Sequence, residues 1–71
     1  MSKDVMEFLV YIIHACANAW NQTPTVVYKM LVANNCISGY LIPNYEILHT
    51  QGTSFIVQDV AEYVGLTGDR T

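Results

Sequence analysis

Seventy-one residues make one domain, near the lower size limit for folding without a metal, a disulfide or a partner. Of these, 52% are hydrophobic and 13% charged, against roughly 25% charged in an average globular domain, which argues against intrinsic disorder. The net charge is −3 and the three basic residues, Lys3, Lys29 and Arg70, stand far apart, so neither nucleic acid nor an anionic membrane finds the clustered cations it needs.

From Asp4 to Trp20 the polar residues Asp4, Glu7, Tyr11, His14 and Asn18 recur every three or four positions. Met6, Leu9, Ile13, Cys16 and Trp20 lie opposite, flanked by Val5 and Ile12, which is the pattern of a helix with one wet stripe. Phe8 and Val10 fall at the two edges of the apolar arc, so this helix is expected to meet neighbours on both flanks. Phe8 to Ile13 superficially resembles a signal core. Asp4 and Glu7 stand where a signal needs positive charge, and His14 spoils the cleavage pattern before Cys16, so no leader is expected. The stretch is also too short and too polar to span a bilayer.

Asn21-Gln22-Thr23-Pro24 predicts a turn and a new start, with Thr23 as N-cap and Pro24 at the first helical position. Val26, Val27, Met30 and Leu31 then form the expected buried face, and Asn34-Asn35 a stop, because Asn tolerates the left-handed conformation. Ser38-Gly39 offers a cap for a third segment reaching Leu48, but Pro43 removes one helical hydrogen bond. The helix is therefore expected to begin at Pro43, with Tyr45, Ile47 and Leu48 packing; the alternative is a separate turn over Gly39 to Ile42. After Gly52, Thr53 or Ser54 is the expected cap of a last helix whose inner face carries Ile56, Val57, Val60, Tyr63 and Val64. Gly65 suits the position past its end, and Leu66 the accompanying contact. The fold class is all-α, a compact bundle of three to four short helices over residues 1–66, with residues 67–71 fraying.

Little in this chain reads as chemistry. Glu7 and His14 are two helical turns apart, about 10 Å, too far for chelation or proton relay. Asp59 and Glu62 read as the outer face of the last helix. Cys16 and Cys36 have no metal-ligand spacing and form no CxxC pair; one disulfide is the alternative, but free cysteine is commonly buried and both are expected to be buried free thiols. No phosphate loop, HExxH or nucleophile elbow occurs. No catalytic residue, metal or cofactor is expected, and the chain is not expected to be an enzyme. His49-Thr50-Gln51-Gly52 remains, between two apolar stretches. Read structurally it is a helix–helix corner, His49 donating to the last carbonyls of a helix. Read functionally, Tyr45, His49, Thr50 and Gln51 form a polar recognition knob for a partner.

Tyr45-Glu46-Ile47-Leu48-His49-Thr50-Gln51-Gly52, followed by Phe55-Ile56-Val57-Gln58-Asp59-Val60, resembles the bacterial family known as domain of unknown function 3791. Its pattern is a tyrosine, an acidic residue, Leu-His-Thr, and then Tyr/Phe-Ile-Val-x-Asp-Ile/Val. Glu7-Phe8-Leu9-Val10 and Val27-Tyr28 also fit, so the resemblance covers roughly residues 5 to 64. Asn35 departs from a glycine common in the family, without putting the left-handed cap in doubt. The resemblance implies a bacterial, cytoplasmic helical protein with no established activity. It also implies genes beside those of ADP-ribosyltransferase-like proteins, and hence an antitoxin-like or accessory role. The expected function is a non-enzymatic interaction module with a protein partner; the alternative is a self-associating homo-oligomer with no separate ligand.

Overall fold

The computed structural model describes residues 2–66; the expected fraying of residues 67–71 lies outside them. The chain is all-α, and no strand occurs among the described residues. Helix α1 spans Lys3–Trp20, α2 Pro24–Ala33, α3 Tyr45–Leu48 and α4 Thr53–Tyr63, with a π-helical turn at Ile37–Leu41 between α2 and α3.

Local chemistry fixes most of the ends. The Ser2 hydroxyl accepts from the Val5 amide and starts α1, so the helix begins one residue before the apolar periodicity does. Asn21 turns left-handed at φ 56° to close it, and Gln22 N–H reaches Ala17 O at 2.9 Å. The Thr23 hydroxyl then accepts from the Val26 amide, with Pro24 as the first residue of α2. Asn35, at φ 55°, is the left-handed stop expected there. Beyond α4, Gly65 takes φ 79°, and Leu66 N–H bonds Ala61 O at 2.8 Å while Gly65 N–H bonds Glu62 O at 3.2 Å. These two bonds satisfy carbonyls that a helix end leaves free. Leu66 contributes its amide more than its side chain, which stays exposed. Gly65→Ala is expected to cost about 1 kcal/mol, because a Cβ disfavours positive φ; a urea midpoint lowered without a change of slope is the reading that checks it.

The third segment departs from expectation. The coil does not wait for Pro43: it resumes at Cys36, widens into the π turn and passes through Ile42–Asn44 into α3. Ile42 N–H bonds Ile37 O at 3.0 Å, a five-residue step, and Asn44 N–H bonds Tyr40 O at 3.2 Å. In a regular α-helix the Pro43 ring would collide with the carbonyl of Gly39. The wider spacing takes that carbonyl out of register, so the proline bends the coil instead of starting it. Asn44, with no side-chain cap bond, stands where α3 begins. Gly39 is the close approach of this segment. A Cβ there would lie 2.7 Å from Asn35 Nδ2 and 3.1 Å from the Tyr63 hydroxyl.

One core joins the elements. Leu9, Ile12, Cys16 and Ala17 of α1 meet Val27 and Leu31 of α2, Leu41 and Leu48 of the bent segment, and Ile56 and Val60 of α4. Helix α1 is the shared partner, packing on α2 and on α4. Four expected core positions are corrected. Met6, Val26 and Tyr63 are about half exposed and Ile47 is 62% exposed. Periodicity puts a residue on an apolar arc, but only a neighbouring helix covers it. Met6 and Val26 are only partly covered by their neighbours, and α3 is too short to bury both of its sides. The Tyr63 ring instead stacks on Tyr40 at 5.1 Å. The cap of α4 is corrected too: Gly52 precedes it without a side-chain cap, and Thr53 is its first residue. The Thr53 hydroxyl is drawn off to the Tyr11 hydroxyl on α1, which ties the start of α4 to α1.

Candidate functional site

The corner after α3 is built from its own backbone. The amides of His49, Thr50 and Gln51 bond back to Tyr45 O, Ile47 O and Leu48 O, and two side chains add second bonds to the first two of these carbonyls. His49 Nδ1 lies 2.9 Å from Tyr45 O, and the Thr50 hydroxyl donates to Ile47 O at 2.8 Å. A carbonyl can only accept, so Nδ1 carries the hydrogen. The imidazole lies on the Tyr45 ring, centroids 4.7 Å apart and planes 15° apart, and Tyr45 in turn meets Phe8 of α1 edge-on at 5.2 Å. The corner is thereby fastened to α1 through aromatic contact. His14 makes the same local bond, Nδ1 to Val10 O at 2.9 Å, on the wet stripe of α1.

Of the four candidate binding residues, the structure brings Tyr45, His49 and Thr50 into one bonded unit. Gln51 is exposed beside them, its amide bonding Leu48 O at 2.9 Å. Tyr45 is half-buried, and its ring is sandwiched between neighbours. His49 Nδ1 and the Thr50 hydroxyl are thus engaged by the turn itself. His49→Ala and Thr50→Val are each expected to lower stability by less than about 1.5 kcal/mol, the worth of one solvent-exposed hydrogen bond. Amide exchange should quicken in α3 and at Thr50 while α1 and α2 keep their protection.

The thiols are buried and free. Removal from water pushes Cys16 up to about 12, with the neighbouring Cys36 adding to the effect. Burial likewise raises Cys36 to about 11, and Asp59 adds to that. Both changes work against a nucleophilic thiolate. Among the described residues, no group of three or more His, Cys, Asp or Glu could hold a metal ion. No helix among them is long and apolar enough to cross a membrane.

The other flank of α1 holds a surface that sequence reasoning missed. Met6, Val10 and Ile13 follow one another at helical spacing along one wall, and Tyr28 and Val32 of α2 form the other. Ile37 closes one end, with Asn35 and Ser38 as its polar members, around a groove of about 520 Å³. Met6, Val10, Tyr28 and Val32 are each about half exposed, and no charged residue lines the groove. The signal was present in two places. The apolar arc of α1 is wider than its core contacts need, and Tyr28 and Val32 make a second apolar row beside Val27 and Leu31. A shallower hollow of about 370 Å³ lies between α1 and α4, lined by small and polar residues such as Ala15, Asn18, Thr53 and Gln58.

Neither a curated protein nor a solved structure shows a match to the chain. A family model described as a protein of unknown function, DUF3791, matches residues 7–65, which takes in most of α1, all of α2, the bent segment, the His49 corner and α4. The chain belongs to the DUF3791 family.

Proposed function

We propose that this chain is a non-enzymatic interaction module that buries the α1–α2 groove against a protein partner. The observation that supports this reading is the groove itself: four large apolar side chains stand about half exposed around an uncharged hollow. Contiguous apolar surface of this kind marks contact sites more often than scattered single residues do. The two thiols are held protonated by burial, and one nitrogen of the corner imidazole, Nδ1, is engaged by its own turn. The finer reading is an antitoxin-like or accessory partner of an ADP-ribosyltransferase-like protein in the bacterial cytoplasm. It rests on the family resemblance alone. Self-association through the same face is the second reading, supported by the same uncharged lining.

Val10→Glu tests the proposal, because it places a charge in the groove at a position that contributes little to the core. Stability should change by no more than about 0.5 kcal/mol, as for most surface substitutions. Co-expression with the product of the neighbouring gene, followed by affinity capture, should retain that product on the wild-type chain and lose it on Val10→Glu. Equal retention by both chains would refute the groove as the contact face. Sedimentation over a concentration series separates the second reading: a constant monomer mass eliminates it.

A further inference from the structure

We draw no further inference here: the strongest candidate, the apolar groove between α1 and α2 lined by Met6, Val10, Tyr28 and Val32, is the face on which the proposed interaction already rests, and nothing in the structure shows what else covers it.

Discussion

Ile12→Ala is expected to lower the unfolding free energy by about 2–5 kcal/mol, the range for removing a large aliphatic side chain from a packed core. Ile12 is fully buried on α1, the helix on which both α2 and α4 lean. A deletion there opens a cavity in the one core that all the helices share, and a chain this small has few other contacts through which to close it. Net stability of about 0.05–0.15 kcal/mol per residue gives a domain of this length little reserve. A substantial unfolded fraction in buffer, seen by far-UV circular dichroism and a urea titration, is the expected outcome. Two controls sharpen the result. Ile12→Val should cost only about 0.5–1.5 kcal/mol. Met6→Ala, on the same apolar arc but half exposed, should change stability by no more than about 0.5 kcal/mol. A Met6→Ala loss as large as that of Ile12→Ala would mean that the groove is filled in solution.

Alkaline unfolding should begin above pH 9 and should depend on both cysteines. In the unfolded chain a thiol loses its proton near the ordinary value of 9.0, whereas the folded chain holds the Cys36 proton to about 11 and the Cys16 proton to about 12. Over that interval the folded state binds more protons than the unfolded state, so stability falls as pH rises. Each thiol contributes a slope of about 1.4 kcal/mol per pH unit, two thiols acting together between pH 9 and 11 and Cys16 alone above that. Below pH 9 this stabilisation is fully present. The diagnostic quantity is the difference between chains that carry the thiols and chains that lack them. Urea midpoints against pH should fall less steeply for Cys36→Ala than for the wild type, and least for the double variant Cys16→Ala/Cys36→Ala. Parallel curves for all three chains would show that the thiols are not the groups responsible. A thiol reagent at neutral pH should react only as fast as the chain opens.

The parts of the fold legible in the sequence are those whose determinants are local. Thr23-Pro24 places a helix start and Gly65 a helix stop because a hydroxyl, a ring and a missing Cβ act within a few residues. Asn35 is legible for the same reason. Pro43 reads as a beginning because a proline inside a helix usually breaks it. The π turn ahead of it depends on how Ile37–Leu41 settle on the core, which no local pattern encodes. Met6 and Leu9 show the same limit. Both lie on the apolar arc, and only the course of α2 decides that Leu9 is buried and Met6 lines a groove. The His49 corner was legible as chemistry of the backbone, since its bonds run three and four residues back along the chain. The groove was not, because it lies between two helices whose separate patterns each look like ordinary core.

The position of α1 between α2 and α4 sets an order for the chain's manufacture. Translation delivers the N-terminus first, so the flank of α1 that α4 covers leaves the ribosome before α4 does. That flank then waits in water until Thr53–Tyr63 has followed. During that interval the nascent chain shows apolar surface on both sides of its first helix. Anything that captures α1 early competes with the chain's own last helix for it, and a message cut short before α4 yields a chain that cannot cover that flank.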